Sequence, residues 1–469
     1  MPRKYPYSAP WRQLRTRHGH GWADPLCTLF CFLLTVAAIP PLSLAAQVTS
    51  MTAPATSQTT VYGSGVQMPL LFEGESKPGN QVSLSAGVST LYDDNVLGRN
   101  SLRVGDEALS FNSHLGLSRH SENLMLELDY VPFFVLYRQI DQYDRANHAG
   151  NLNLAYRLTS RVILGLHDTI SYQNGVYPAL TGDQILSGPA SPTALDQMII
   201  PYTTRVLSNS VGLDLTFVKS QRMSLTFSGG YNEVKYGSQT PGQPLYNGNG
   251  FSGGATVQYR ATEHTNFGIL LLHQDNTYQG GQVLGYRPRS QVESTFLSVG
   301  SRLSPTVKVT VFGGPQYVRT IGQTSAEGGL GGNFQASGGG SITKEVRKTA
   351  LDLSFQRAVS GSGGLYTTVK NTNATFGVRR RLVGSWEAGF HFNAAQQDAS
   401  LFERANGRTD ALFGGINISR PILHGSVFHI AYDTMHELTK GNLPISGNFD
   451  RNQIAVGIDY QFKVLPLGR

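Results

Sequence analysis

The sequence predicts an all-β protein, a transmembrane up-and-down antiparallel β-barrel of about 18 strands, with 16 also compatible. Three observations predict this fold. Apolar and polar residues alternate with period two along consecutive segments from Gln81 to Lys463. The links between these segments are alternately short and long, and aromatic residues collect near the segment ends. Together these features are typical of outer-membrane barrels.

The first 46 residues have the pattern of a secretory signal peptide. Basic residues precede an apolar run over 26–39, which is too short to cross a bilayer as a helix, and Ser43-Leu44-Ala45 then offers a cleavage site. A retained anchor is the alternative. The segment holds five of the 38 basic and one of the 31 acidic residues, so cleavage lowers the net charge from +7 to +3. That excess does not support nucleic-acid binding.

The two cysteines, Cys27 and Cys31, both lie inside the predicted signal peptide. We therefore expect no disulfide, thiol chemistry or zinc–thiolate site in the mature chain. Residues 47–80 are rich in Thr, Ser, Gln and Pro and predict a flexible periplasmic lead-in. The barrel is predicted over 81–463, followed by a short periplasmic tail at 464–469.

Each predicted strand rests on the alternation of its side chains. In the first segment, Val82, Leu84, Ala86 and Val88 alternate with serine and glycine, and a helix would scatter these apolar residues around its circumference. The same pattern predicts 18 strands, near 81–93, 107–119, 122–137, 147–158, 161–173, 204–218, 222–236, 250–261, 264–278, 289–303, 306–319, 332–345, 348–359, 367–382, 385–397, 408–420, 425–437 and 449–463.

The predicted links differ by the parity of the strand that they follow. After every even strand the link is tight, as in RHSEN and RLTSR, and after odd strands it is usually longer, up to the run 174–203. Outer-membrane barrels have short periplasmic turns and longer extracellular loops, whereas a soluble sandwich does not sort its loops in this way. We therefore expect the bacterial outer membrane, with both termini in the periplasm. The run 174–203 is either a constriction at the mouth or an exposed surface loop.

Aromatic residues on the apolar parity predict two girdles at the membrane interfaces. Those near the tight turns are Tyr156, Phe217, Tyr259, Phe267, Trp386, Tyr460 and Phe462, and those near the loops are Tyr92, Tyr172, Tyr231, Phe251 and Tyr317. Three others, Phe134, Phe296 and Phe390, do not follow this sorting. Because hydrocarbon tolerates no unpaired backbone group, the sheet has to close into a ring.

Charged residues on the polar parity predict a lumen lined by charges of both signs. Barrels of this size leave an aqueous channel, so one interpretation is a pore whose charges set selectivity. The alternative is that these charges only pair across neighbouring strands. The candidate lumen-lining residues are Glu127, Asp129, Arg157, Asp214, Arg260, Arg302, Asp352, Arg379, Arg381, Glu387 and Asp459. Arg380, between two of them, is expected to face outward as an interface anchor.

The sequence does not predict an enzyme. His167 and Asp168 are adjacent and so face opposite sides of a strand. His273 and Asp275 share a face, but the sequence places no nucleophile beside them. No phosphate-binding loop or metal-spaced His/Cys cluster follows the signal peptide, and we expect no cofactor and no metal.

The stretch AGVSTLYDDNV, residues 86–96, resembles the opening of outer-membrane β-barrel (porin-like) proteins of Gram-negative bacteria. Some of these proteins occur alongside exopolysaccharide-export machinery. The resemblance implies insertion into outer-membrane lipid by the barrel-assembly machinery, which reads a signal in the last strand. It carries over no catalytic residue. This chain departs from the usual pattern because seven residues follow its final aromatic.

The last strand is predicted to carry that assembly signal. Apolar residues from Ile454 to Phe462 form one face, with Tyr460 and Phe462 as the signal aromatics. Since Pro466 cannot donate to a ladder, pairing is expected to end before it.

The leading functional hypothesis is a channel that passes small solutes or a polysaccharide through a polar, mixed-charge lumen. A barrel that displays its loops without transport is the alternative. A soluble secreted all-β protein is the third hypothesis.

Overall fold

The computed structural model describes residues 80–98, 100–174, 205–237, 245–280, 288–321, 332–360, 368–398, 407–441 and 448–466. The predicted signal peptide, most of the lead-in and most of the loop 174–203 lie outside these residues. The described part forms one antiparallel sheet of 18 long strands and a two-residue segment. The prediction of 18 strands is therefore confirmed.

The strands follow one another along the chain. They are β1 Gln81–Asp93, β2 Asp106–His120, β3 Leu124–Tyr137, β4 Arg145–Thr159, β5 Val162–Asn174, β6 Arg205–Ser220, β7 Met223–Tyr236, β8 Tyr246–Arg260, β9 Thr265–Gly280, β10 Arg289–Ser304, β11 Val307–Ile321, β12 Asn333–Val346, β13 Thr349–Ser360, β14 Val369–Arg381, β15 Glu387–Asp398, β16 Gly407–Leu423, β17 Ser426–Gly441, β18 Phe449–Gln461 and β19 Leu465–Pro466. Short 3₁₀ turns occupy Asn100–Leu102, Asp141–Tyr143 and Val383–Ser385.

The sheet closes on itself. Each strand from β1 to β18 pairs with the next, and β1 also pairs with β18 in a register running from Ser85↔Gln461 to Asp93↔Gln453. No strand of this ring presents an unpaired edge, which is the condition for a sheet in hydrocarbon. The prediction of a closed up-and-down barrel is confirmed.

The connections are sorted by parity, as predicted. Links after even strands run from two residues, at 160–161, to five, at 382–386. Links after odd strands run from seven residues, at 138–144, upward. The tight turns need particular backbone conformations, and Gly425 between β16 and β17 takes a φ of 77°, which a residue with a side chain rarely adopts. Because the strand count is even, the start of β1 and the end of β18 both lie on the side of the tight turns.

The chain after β18 differs from the prediction. The N–H of Phe462 donates to the carbonyl of Leu84 at 2.9 Å, and pairing then resumes at Val82↔Leu465 and Gln81↔Pro466. The expectation that pairing ends before Pro466 was therefore wrong. A proline is tolerated as the last residue of a paired segment, where its missing N–H is not needed for a hydrogen bond.

Candidate functional site: the inner wall of the barrel

The two faces of the sheet differ in composition. In β9, Phe267, Ile269 and Leu271 are exposed and belong to one face, whereas Asn266, with Gly268 beside it, belongs to the other. Cross-strand pairing carries the same division around the ring, since directly paired residues share a face. We call the face with the exposed aliphatic side chains outward and the opposite face inward.

The outward face carries an apolar band. Its exposed side chains include Leu213 on β6, which is 53% exposed, and Leu297 on β10 and Ile416 on β16. Aromatic side chains expected at the girdles are exposed there too, among them Tyr92, Tyr156, Phe217, Phe251, Tyr259, Phe267 and Tyr460. Exposed apolar surface of this extent around a whole ring is stable only against lipid.

All eleven candidate lumen residues occupy inward positions of the strand register. Seven of them lie in ion pairs or His–carboxylate pairs. The Glu387 carboxylate lies 3.8 Å from Arg379 and 3.6 Å from Arg381. The carboxylates of Glu127, Asp129, Asp214 and Asp459 each lie within 3.8 Å of an inward histidine. Their role in selectivity stays a prediction.

The remaining candidates differ in exposure. Arg157 and Arg302 are exposed, and Arg260 and Asp352 are half-buried. Arg380 pairs in register with Ala388 and faces outward beside the β14–β15 turn, the orientation that alternation predicts. There its side chain can reach the polar headgroups.

Five inward histidines each lie close to a carboxylate, and only His167 among them was named from the sequence, beside a different acid. The pairs are His114–Asp129 at 2.9 Å, His120–Glu127 at 3.8 Å, His167–Asp214 at 3.4 Å, His391–Asp433 at 3.5 Å and His429–Asp459 at 2.8 Å. Partners in each pair come from different strands, so no local motif marks them. The sequence did indicate which side each histidine faces, because the alternation within its own segment places it among the polar, inward positions.

The two His/acid pairs considered from the sequence turn out differently. His167 contacts Asp214 across the β5–β6 pair, while Asp168 belongs to the outward face, as the alternation predicts. His273 and Asp275 are both outward, and each contacts a residue of β10. The His273 Nδ1 lies 2.5 Å from the Glu293 carboxylate, and Asp275 accepts hydrogen bonds from Arg289.

The YDDN stretch, residues 92–95, connects the first long strand to the last through side-chain contacts. Asp93 is fully buried and forms an ion pair with Arg451 of β18, which is 4% exposed. The Asp93 carboxylate also accepts hydrogen bonds from Gln453 Nε2 at 3.1 Å and from Tyr137 Oη at 3.3 Å. Asp94 accepts from the Asn452 backbone and side chain, both at 2.7 Å. We call this group of contacts the closure network.

Part of the inward face is apolar. A buried cluster on β9 to β13 contains Leu270, Leu272, Phe296, Phe312 and Ala358, all inward by register. Phe296 and Phe312 pack edge to face at 5.9 Å between ring centroids. Beside them, the buried Gln316 side chain donates to Ser294 at 3.0 Å and accepts from the Val359 N–H at 2.9 Å. The expectation of a polar, mixed-charge lumen did not include this apolar part of the inward face, and Phe296 does not follow the girdle sorting because it points inward.

The closed ring, its even strand number and its apolar outer band together decide the class of protein. The chain is an outer-membrane β-barrel. Among the residues that the structure describes, no helix is long and apolar enough to cross a membrane.

Comparisons with known proteins give distant likenesses only. No protein-family model matches the chain, and no curated protein matches it. The solved structure of OccAB4 from Acinetobacter baumannii is 10% identical, with a TM-score of 0.41, over 83% of this chain and 100% of that one. The outer membrane protein OpdK from Pseudomonas aeruginosa is 12% identical, with a TM-score of 0.42, over 81% and 99%. The siderophore receptor PirA from the same organism is 9% identical, with a TM-score of 0.40, over 82% and 81%. These likenesses are too distant to argue from, and the assignment above rests on the chain's own strands.

The final strand offers a test of the predicted assembly signal. The rings of Tyr460 and Phe462 pack edge to face at 4.8 Å between centroids. We expect Phe462→Ala to lower the yield of folded barrel in the outer membrane several-fold, because the signal loses its last aromatic side chain. Deleting 464–469 is expected to be better tolerated, since it removes only the two terminal pairs of β19. Heat-modifiable gel mobility of membrane fractions measures both, and a stronger defect in the deletion would contradict this placement of the signal.

Proposed function

We propose that the protein is a porin-like channel that passes small solutes across the outer membrane. The observation that carries this proposal is the inward placement of eleven charged residues of both signs in a closed ring of 18 strands. Side chains fill the interior of an eight-stranded barrel, but rings of 16 to 18 strands enclose more space than their side chains occupy. A wall that carries charged and hydrogen-bonding groups suits water and polar solutes.

The same inner wall is also suited to a larger solute, a polysaccharide chain. Inward asparagine, glutamine, serine and threonine side chains recur around the ring, among them Asn151, Thr226, Thr256, Asn373 and Asn393. Amide and hydroxyl groups both donate and accept hydrogen bonds, as the hydroxyls of a sugar do. We also propose that the barrel-assembly machinery inserts the protein into the outer membrane by recognising its final strand.

The inward apolar cluster favours a second function, a barrel that displays its loops and transports nothing. Phe296 is 1% exposed and Phe312 is 5% exposed, so this part of the wall is covered rather than open to a channel. An interior that is packed on one side leaves less room for solutes. The two functions differ in whether the folded protein is permeable.

Liposome swelling with neutral sugars of graded size tests the channel function. Purified, heat-modifiable protein is reconstituted, and swelling is compared with liposomes that carry the heat-denatured protein. The proposal expects rapid swelling in a monosaccharide and slower swelling as the sugar grows. Swelling no faster than that of the control at every size would contradict the channel and support the display function.

A further inference from the structure

Basic residues collect on the outward face where the strands approach the tight turns. Each lies within three residues of the end of an even-numbered strand, and each side chain is exposed. The tight turns of an outer-membrane barrel lie on the periplasmic side, so these residues border the periplasmic surface of the membrane. We call them the basic rim: Arg119 on β2, Lys219 on β6, Lys344 on β12, Arg380 on β14 and Arg420 on β16.

The strand register makes the basic rim part of the surface that contacts lipid. Ile342 and Ile418 are exposed on the outward face, within the apolar band. Lys344 and Arg420 follow them by two residues and therefore lie on the same face of their strands. The basic rim is thus continuous with the apolar band on its periplasmic side.

Carboxylates do not share this part of the outward face. In the strands that the structure describes, no carboxylate occupies an outward position within three residues of a tight turn. The outward Asp168 lies midway along β5, and the tight turns themselves hold only the carboxylates of Glu122 and Glu263. Among the described residues, no carboxylate forms an ion pair with a member of the basic rim.

The loop side of the outward face carries a different balance of charge. Basic and acidic residues lie side by side there and form ion pairs. Examples are Arg138–Glu107 at 2.9 Å, Lys235–Glu233 at 2.7 Å and Arg408–Asp410 at 2.9 Å. The barrel therefore presents positive charge to the periplasmic surface of the membrane and charges of both signs to the opposite surface.

A contact within the basic rim fixes the level of one of its charges. The Arg420 guanidinium lies 5.3 Å from the centroid of the Trp386 ring, at the end of the β14–β15 turn. Tryptophan is typical of the membrane–water interface, and a cation is attracted to the face of its ring. A long basic side chain in this position lies along apolar surface and holds its charge among the lipid headgroups.

Lipid phosphates are the anions at this level of the membrane. A guanidinium can donate two parallel hydrogen bonds to phosphate oxygens, and an ammonium binds them as a point charge. Each Lys or Arg near a membrane surface also attracts net negative charge. A lipid with a net negative headgroup is therefore favoured over a zwitterionic lipid beside the basic rim.

We propose that the basic rim binds anionic phospholipids at the periplasmic surface of the outer membrane and concentrates them around the barrel. The partner is a lipid whose headgroup combines a phosphodiester with a net negative charge, as in phosphatidylglycerol. The inference goes beyond the channel function and does not depend on whether the lumen conducts.

Trp386 provides a local probe for this lipid. Trp11 and Trp22 lie in the predicted signal peptide, so tryptophan fluorescence of the purified mature protein comes from Trp386 alone. Heat-modifiable protein is reconstituted into phosphatidylcholine vesicles that contain a minor fraction of phosphatidylglycerol. Bromine, which quenches tryptophan on contact, is placed on the acyl chains of the phosphatidylglycerol or of an equal amount of the phosphatidylcholine. We expect several-fold stronger quenching when phosphatidylglycerol carries the bromine, and a smaller difference at high salt.

Two double variants separate the basic rim from charge in general. R380Q/R420Q removes the member that contacts Trp386 and the member on β14 beside its turn, and it is expected to abolish the difference between the two labels. R302Q/K308Q removes the same charge from the same end of the barrel, but Arg302 and Lys308 pair with each other on the inward face. It is expected to keep the wild-type difference. Equal quenching by the two labels in the wild type, or an unchanged difference in R380Q/R420Q, would overturn the proposal and leave the channel function intact.

Discussion

Asp93→Ala is expected to destabilise the folded barrel by about 3–5 kcal/mol, because it leaves the buried Arg451 guanidinium without its counter-charge. Arg451 is 4% exposed and Asp93 is 0% exposed, so water does not replace the lost partner. The hydrogen bonds from Gln453 and Tyr137 to the same carboxylate are lost as well. Urea unfolding of the reconstituted protein, followed by loss of the heat-modifiable band, measures the change.

An exposed ion pair at the same end of the barrel provides the control. Arg138 and Glu107 are 2.9 Å apart, but their side chains are 71% and 65% exposed, and exposed pairs contribute little to stability. Glu107→Ala is therefore expected to leave the unfolding midpoint nearly unchanged. If Asp93→Ala unfolded at the same urea concentration as Glu107→Ala, the closure network would have no special role in holding β1 to β18.

Leu213→Arg is expected to destabilise the membrane-inserted barrel by about 2–4 kcal/mol, because it places a charge in the apolar band. Leu213 is 53% exposed on the outward face of β6, where it pairs with Leu166 and Gly229. The same substitution at Ser210, on the inward face of the same strand, puts the guanidinium among polar groups. We expect Ser210→Arg to change stability much less.

Urea unfolding in lipid vesicles compares the two arginine variants directly. The difference between them should shrink when the protein is held in a detergent micelle, whose thin apolar layer adapts to the charge. Equal destabilisation by Leu213→Arg and Ser210→Arg in vesicles would mean that the two faces of β6 are not lipid and lumen, and the orientation of the whole ring would be wrong.

Period-two alternation was sufficient to predict the strands. The first strand was predicted over 81–93 and observed as Gln81–Asp93, and the segment predicted near 332–345 is Asn333–Val346. Alternation works here because each strand has one face in lipid and one inside the barrel. Successive positions therefore meet different environments and carry different types of residue.

The contacts of the inner wall could not be predicted in the same way. Asp93 and Arg451 lie in the first and last long strands, and only ring closure in the observed register brings them together. The same holds for His167 and Asp214, whose contact depends on the pairing of β5 with β6. A one-residue shift of register would separate these pairs, and no residue in either segment specifies the register alone.

The inward apolar cluster was missed for a different reason. Its segment reads Ile269-Leu270-Leu271-Leu272, so both parities are apolar and the alternation is lost over these four residues. A continuous apolar run indicates a strand whose two faces both meet apolar surroundings. Here Ile269 and Leu271 are exposed on the outward face, and Leu270 and Leu272 are buried on the inward face. The uninterrupted run was the available signal.

Single-channel recording from purified, heat-modifiable protein in planar bilayers tests the central claim most directly. If the inward charges of the 18-stranded ring line a water-filled lumen, the folded protein produces discrete, ohmic conductance steps that the heat-denatured protein does not. A bilayer that stays silent after verified insertion of folded barrel would contradict the claim.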